Sequence, residues 1–373
     1  MINQRRPRVF HLITRLLKGG AEAKTISTVL GLEDYDFTVG YGATFDQAQI
    51  DRLETGGVEI KRFPLVRHYN PATTLPAVIS LARYLRRNDF DVVHTHSTEA
   101  GIIGRFAALV AGVPHIVHTV HGVPFASDRN AALNRFVLEC ERQAAKFTDR
   151  IVTNADVITT EYLSRDIGIR GQYTTIYSGI DINAFQDTSP AEDLPGSRPR
   201  VVMIGRLVDG KGFNVLLDAA ESICDGTATV CLVGEGPLYD SLQDEITERG
   251  LNDSVFLMGY RDDIPRVLAG SDILVLPSFR EGTPRVITEA MASGLPVIAT
   301  DIAGIPEQVV DGESGYLIPT GNTEMLSERL NELLSNSDLR HRMGKQGQER
   351  AKRFSVESML DNLDQLYREL LRE

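Results

Sequence analysis

Cysteine is scarce in this chain: Cys140, Cys224 and Cys231 are the three in 373 residues, and none stands at metal-ligand spacing. That argues against a disulfide scaffold and fits reduced thiols in a cytoplasm. Long apolar runs are missing too. A membrane span needs roughly 18 apolar residues, and the best candidate, Gly101 to Val120, is broken by Arg105, Pro114, His115 and His118. The amino end, Met-Ile-Asn-Gln-Arg-Arg-Pro-Arg, runs directly into a strand-like VFHLI, so no signal peptide and a cytoplasmic location are expected. No basic stripe interleaved with aromatics is present, so nucleic acid is not an expected partner. The G-x-G-x-x-G spacing of a dinucleotide fold is absent as well, which counts against a dehydrogenase.

What remains is ordinary soluble material: 42% hydrophobic and 24% charged residues. At 373 residues, two domains are expected rather than one core. The net charge of −12 is unevenly spread. Residues 1–178 hold 21 Lys+Arg and 18 Asp+Glu, giving +3, and the other 18 and 33 give −15. A mildly basic first half suits an anionic membrane surface or a lipid-phosphate acceptor. Two domains that simply differ in surface charge would look the same.

Strand and helix signals alternate along the chain. Arg8 to Thr14 reads as a first strand, followed by LLKGGAEAKTISTVL, two glycines and then an amphipathic helix from about Ala21. Strands at Tyr35–Gly40 and Val58–Phe63, a helix over Thr74–Arg87, the buried strand DVVHTH and the helix STEAGIIGRFAALVAGVP come next. This alternation argues a parallel, doubly wound sheet. Composition changes in QDTSPAEDLPGSRP, residues 186–199, which is linker chemistry. A fresh α/β series starts at Arg200. The expected domains are 1–185, 200–354, and a final amphipathic helix in 355–373 that packs back toward the first. The expected fold class is α/β, with two Rossmann-like domains facing across a cleft.

Three places carry chemistry. In SFREGTPRVITEAMASGLPVIATDIAGIPE, Glu281 and Glu289 flank a helix start, with Thr283 as its expected cap and Pro284 in its first turn. A strand, Ile273 to Leu276, precedes this loop, which puts it at the carboxyl edge of a parallel sheet, where open α/β folds bind ligands. Gly205-Arg206 closes another strand and Lys211 opens the next helix. Two cations beside a helix N-terminus suit a phosphate or diphosphate between them, although a solvated surface pair has the same pattern. Gly19 and Gly20 at the first strand-to-helix turn would let backbone approach a ligand, or form a plain tight turn. His94, His96, His115, His118 and His121 crowd one 28-residue window. His94 and His96 share one face of a strand, whereas His118 and His121 lie on another element and do not alternate in phase, and no acid or cysteine completes a ligand set, so no metal site is expected. His121 ends a strand and should project at the sheet edge.

Together these stretches resemble the retaining nucleotide-sugar glycosyltransferases of the GT-B fold, family four. LLKGGAE, DVVHTHSTEAGIIGRFAALVAGVP, HTVHG, SGID, GRLVDGKGF and the E-x7-E motif from Glu281 to Glu289 carry the likeness nearly end to end. The resemblance implies a catalytic set of His121, Glu281, Arg206 and Lys211. Arg206 and Lys211 would hold the donor diphosphate, Glu289 the ribose and Glu281 the sugar hydroxyls. Gly205 and Gly282 would border the donor, and Tyr260 and Arg261 its base. Gly19 and Gly20 would close on donor and acceptor, and His121 would sit near the anomeric carbon. Many members have Glu-Gly-Phe-Gly where this chain has Glu-Gly-Thr-Pro. Pro284 has no N–H, so phosphate contacts would fall on Thr283, Arg285 and Val286.

The implied activity is transfer from a nucleotide sugar, expected to be a UDP-sugar, to a glycan or lipid-linked acceptor in polysaccharide or glycolipid biosynthesis. Retention by a front-face route is expected, with no cofactor beyond the co-substrate. A nucleotide-sugar epimerase of the same fold and a non-catalytic nucleotide-sugar-binding partner are the alternatives. Arg5, Arg6, Arg8 and the cluster Arg83, Arg86, Arg87 suggest peripheral contact with the anionic inner face of the cell membrane.

Overall fold

The computed structural model describes residues 5–65, 71–125, 130–223 and 228–372; Cys224 lies outside them. The chain divides into two compact units, Met1–Ser178 with Glu357–Glu373, and Gly179–Val356.

The first unit holds seven parallel strands: β1 (Arg8–Leu16), β2 (Asp36–Phe45), β3 (Glu59–Arg62), β4 (Val92–His96), β5 (His115–Val120), β6 (Arg150–Thr153) and β7 (Tyr173–Thr175). Their order is β3-β2-β1-β4-β5-β6-β7. Helices α1 (Gly20–Gly31), α2 (Gln47–Thr55), α3 (Pro71–Asn88), α4 (Thr98–Ala111), α5 (Ala131–Ala145) and α6 (Asp156–Leu163) connect them. A sheet covered on both faces needs strands apolar on both sides. β1 shows this directly: Val9 and Ile13 enter one core, Phe10 and Leu12 the other.

The second unit holds β8 (Arg200–Ile204), β9 (Thr229–Val233), β10 (Val255–Leu257), β11 (Ile273–Leu276), β12 (Val297–Thr300) and β13 (Gly315–Ile318). All pair in parallel, in the order β10-β9-β8-β11-β12-β13. Helices α7 (Phe213–Ile223), α8 (Tyr239–Glu248), α9 (Ile264–Ala269), α10 (Arg285–Ala292), α11 (Ile305–Gln308), α12 (Thr323–Ser335) and α13 (Ser337–Ala351) surround the sheet. The last helix, α14 (Val356–Leu370), returns to the first unit. Its Met359, Leu363, the adjacent Leu366 and Tyr367, and Leu370 form one helical face and are buried in the core that holds Val9 and Val92. Each such side chain contributes about 1.5–3 kcal/mol as an upper estimate.

In both sheets the winding reverses once, between β1 and β4 and between β8 and β11. Crevices for ligands open at the carboxyl ends of strands at such points.

Several local expectations need correction. β2 continues to Phe45 instead of stopping at Gly40. Its glycines are there for close packing: a Cβ at Gly42 would lie 2.2 Å from the Thr14 carbonyl oxygen. Helix α2, missed in the sequence, has few apolar residues and is capped by Asp46, whose carboxylate accepts from Ala48 N–H. Thr283 does not cap α10. That helix begins at Arg285 with Pro284 at its N-cap and no side-chain cap bond. In the second unit Arg200 donates to the carbonyls of Pro195 and Gly196, and Ala191 N–H to that of Arg266.

Candidate functional site

In the second unit the site grows from the exits of β8 and β11. Gly205 N–H donates to Val233 O at 2.9 Å and carries the ladder one residue past β8. Arg206 follows, exposed, its guanidinium without a partner among the described residues. Lys211 stands between two glycines with left-handed backbone, Gly210 at φ +85° and Gly212 at +78°. A Cβ on Gly212 would sit 2.1 Å from Pro277 O, so only glycine lets this turn close against the exit of β11. The closure brings Lys211 Nζ to 2.7 Å from Glu281 Oε1, to which Ser278 Oγ also donates at 2.9 Å. Lys211 and Glu281 side chains are 23% and 10% exposed, which leaves the pair partly shielded from water. Glu281 Oε2 has no partner among the described residues.

Backbone bonds fix the loop between them. Phe279 N–H donates to Gly210 O and Gly304 N–H to Gly282 O. Thr300 Oγ1 donates to Ser278 O at 2.7 Å. Gln308 Nε2 donates to Pro284 O at 3.0 Å and Thr288 Oγ1 at 2.8 Å, holding the start of α10. Gln308 has no motif in the sequence that marks this role. Thr283 is partly buried and Gly282 exposed. Beyond Pro284, the N–H groups of Arg285 and Val286 belong to the first turn of α10, where a helix leaves donors without intrahelical partners. The Arg285 guanidinium turns along its own helix, with Nε 3.6 Å from Glu289 Oε1. Burial pushes the Glu289 carboxyl above its ordinary range, against the pull of Arg285.

Beside this loop lies a cavity of about 740 Å³ lined by Gly205, Arg206, Gly234, Glu235, Tyr260 and Arg261. Tyr260 is 67% exposed and offers a flat face. Arg261 does not: its guanidinium donates to Asp263 and to Asp193, so it shapes the wall as a clamp. Gly234 and Glu235 were missed. Gly234, at φ +144°, would bring a Cβ to 1.9 Å from Gly205 O, and the G-E-G after β9 was the available signal.

The first unit has its own cavity, about 400 Å³, at the carboxyl ends of β1, β4 and β5. Thr14, Arg15, Ser97, Thr98, His121 and Gly122 line it. Gly19 caps the start of α1 nearby. A Cβ there would lie 2.5 Å from Glu22 Oε2, while one at Gly20 meets nothing.

The histidines are closer than their spacing suggested. His121 Nε2 lies 3.2 Å from His96 Nδ1 across the β4–β5 pair. His11, unnoticed in the sequence, is the register partner of His94 on β4. Ligand nitrogens of His11, His94 and His96 fall within 4.8 Å of one another. Each nitrogen already has a partner: His11 bonds His96 and Tyr367, and His94 bonds Tyr367 and Thr119. Metal ligation would have to break these bonds. Burial holds His11 and His121 down at about 3, with the Lys24 charge adding to the effect at His121. His94, His96 and His118 lie well below their ordinary value for the same first reason. All five rings are therefore neutral at pH 7.

Residues 18–184 match the model of the Glycosyltransferase Family 4 domain and residues 185–350 that of Glycosyl transferases group 1. A UDP-Gal:alpha-D-GlcNAc-diphosphoundecaprenol alpha-1,3-galactosyltransferase of Escherichia coli is 33% identical over 277 residues, covering 68% of this chain and 69% of that protein. Crystal structures of Anabaena HepE in complex with UDP and with UDP-glucose match at TM-scores of 0.83 and 0.78. Each is 24% identical and covers 97% of this chain, and 100% and 99% of theirs. A seven-stranded and a six-stranded parallel sheet, each reversed once, agree with that likeness in fold. With both halves matched and the E. coli relative covered over more than two thirds of its length, this chain belongs to the family-four glycosyltransferases and has the GT-B fold.

Proposed function

We propose that the enzyme transfers a sugar from a UDP-sugar to a glycan or lipid-linked acceptor, with retention of anomeric configuration, in polysaccharide or glycolipid biosynthesis. The observation that carries this reading is the Lys211–Glu281 pair at the β8/β11 reversal, with the exposed Arg206 after the same strand. The relative that acts on UDP-galactose and a diphosphoundecaprenol-linked sugar, and the UDP-bound neighbour, support it.

In this reading residues 200–354 take the donor, residues 1–185 the acceptor, 186–199 link them, and 355–373 return to the acceptor side. Arg206, Lys211 and the N–H groups of Gly282, Thr283, Arg285 and Val286 hold the diphosphate. Glu289 accepts from the ribose, and Glu281 from the sugar hydroxyls through Oε2. Gly205, Tyr260 and the Arg261 clamp border the base. Gly19 and Gly20 approach donor and acceptor, and His121 positions the reacting groups.

As the bond from anomeric carbon to diphosphate oxygen breaks, the sugar becomes oxocarbenium-like and the diphosphate gains charge. Lys211, held by Glu281, and the helix N–H groups are preorganised to stabilise that charge in the transition state, and Arg206 adds a second cation. The acceptor oxygen attacks on the same face, and its proton passes to the leaving phosphate oxygen. No carboxylate is assigned as a nucleophile: Oε1 of Glu281 is bonded to Lys211 and Ser278, and Glu289 is assigned to the ribose. The step needs no cofactor beyond the nucleotide sugar.

No helix among the described residues is long and apolar enough to cross a membrane. A peripheral contact is part of the proposal, through α3, where Leu75 and Ile79 are exposed on the helix that carries Arg83, Arg86 and Arg87. Each basic side chain there is worth roughly 1 kcal/mol at an anionic surface.

The test is transfer from UDP-, GDP- and ADP-hexoses to polyprenyl-diphosphate-linked sugars, with the product anomer read by NMR. The α-linked product from an α-UDP-sugar supports the reading. Transfer confined to GDP or ADP donors, or an inverted product, overturns it.

A further inference from the structure

Lys24 is 2% exposed on α1, yet nothing in the proposed transfer uses it. Its Nζ donates to Asn154 Oδ1 at 2.8 Å and to Ile176 O at 2.6 Å. The Lys24 ammonium has only hydrogens to give and both partners accept, so in the protonated form the direction of these bonds is fixed. With its oxygen toward Lys24, Asn154 turns its NH2 toward His121 Nδ1, 3.3 Å away, and that nitrogen must accept. A neutral ring then carries its proton on Nε2 and donates it to His96 Nδ1.

The same rule repeats inward. His96 Nε2–H donates to His11 Nδ1 at 2.8 Å, and His11 Nε2–H to the Tyr367 oxygen at 3.1 Å. Tyr367 O–H donates to His94 Nδ1 at 2.5 Å, and His94 Nε2–H to Thr119 Oγ1 at 2.6 Å. Reversing the chain would turn the Asn154 NH2 against Lys24 Nζ, donor against donor. An imidazolium anywhere inside would likewise set two donors facing.

We propose that Lys24 and Asn154 are positioning residues for glycosyl transfer: they lock His121 as the Nε2–H tautomer at the head of a one-way hydrogen-bonded chain ending beyond Tyr367. This rests on the reading of the first-unit cavity as part of the transfer site. Both ring nitrogens of His121 then face into the unit. Its ring serves as an anchor that sets the backbone of His121 and Gly122 on the cavity rim, and it exchanges no proton with substrate. The terminal helix takes part through Tyr367, so the last element of the chain helps order the rim.

The test is imidazole 15N NMR of the histidine-labelled full-length protein at pH 6, where Lys24 is protonated and the buried rings stay neutral, combined with kinetics. In the wild type, His121, His96, His11 and His94 are expected as Nε2–H tautomers. Asn154→Asp presents acceptors to both neighbours and is expected to move the His121 proton to Nδ1. Lys24→Met is expected to leave mixed tautomers. Both variants should lose at least about tenfold in kcat, with donor KM and stabilisation by UDP unchanged. An Nδ1–H tautomer for His121 in the wild type overturns the proposal, as does full kcat in a folded Asn154→Asp. The tautomer spectrum needs no substrate, so its failure is separate from a failure of the wild type to transfer sugar from UDP donors.

Discussion

Lys211 and Glu281 are 70 positions apart in the chain, and their charged atoms meet at 2.7 Å. The contact ties the turn after β8 to the loop after β11, on either side of the sheet reversal. A donor diphosphate would therefore meet a lysine already placed by its carboxylate. Both side chains are assigned to transition-state contacts, so Glu281→Gln and Lys211→Met should each lower kcat/KM by about a hundredfold or more. Because they act as a pair, the double variant should lose much less than the product of the two. Steady-state kinetics on the four proteins checks this, and strict multiplication would dissociate the two roles.

Glu289 gives an opposite sign for stability and function. Its carboxyl is raised by burial, so the folded state holds its proton more tightly than the unfolded chain. That contribution is full below the unfolded pKa and is lost as pH rises through the folded value. Glu289→Gln is therefore expected to gain folding stability over wild type at pH 7 and to lose that gain near pH 4, while weakening nucleotide binding. Urea melts at the two pH values provide the readout.

Lys24 is expected to show in the alkaline limb. Burial lowers its amine to about 7 from an ordinary 10.5, and no carboxylate among the described residues pairs with it. The groups facing it are Asn154, the Ile176 carbonyl and the neutral His121. Between these two values the unfolded chain binds the extra proton, so stability should rise with pH across that window. Lys24→Met should flatten the rise in urea midpoint over the same range.

Arg105 and Glu141 form an ion pair at 2.6 Å, with side chains 0% and 1% exposed, joining α4 to α5. Arg105 Nη1 and Glu141 Oε1 have no hydrogen-bond partner among the described residues. Removing either charge alone strands the other, at a cost of about 3–5 kcal/mol, whereas replacing both with apolar residues of similar volume is close to neutral. Glu141→Leu should thus be less stable than the double variant Arg105→Met/Glu141→Leu by chemical denaturation.

The winding of both sheets and the loop from Ser278 to Glu307 were legible because their signals are local. Strand-to-helix changes of period, Gly294 before Pro296, and acids around a helix start can be read within one window. The unread parts depend on partners distant in sequence. Glu281 as partner of Lys211 and His11 beside His94 follow from strand order, which spacing alone does not give, and Asp193 reaches Arg261 from a segment outside any strand. β2 runs on past Gly40 because in the sheet Gly40 and Gly42 admit Phe10 and the Thr14 carbonyl, contacts that the sequence does not display. Helix α2 was missed because its apolar stripe is reduced to Ile50 and Leu53.

The central claim is that the second unit holds a UDP-sugar through Arg206 and Lys211. A thermal melt with UDP in large excess tests it most directly, since a ligand at 100 times its Kd stabilises by about 2.7 kcal/mol. UDP should raise Tm, GDP and ADP should not, and the exposed substitution Arg206→Ala should abolish most of the shift without lowering the unliganded Tm. An unchanged Tm with UDP, or a full shift in Arg206→Ala, would contradict the account.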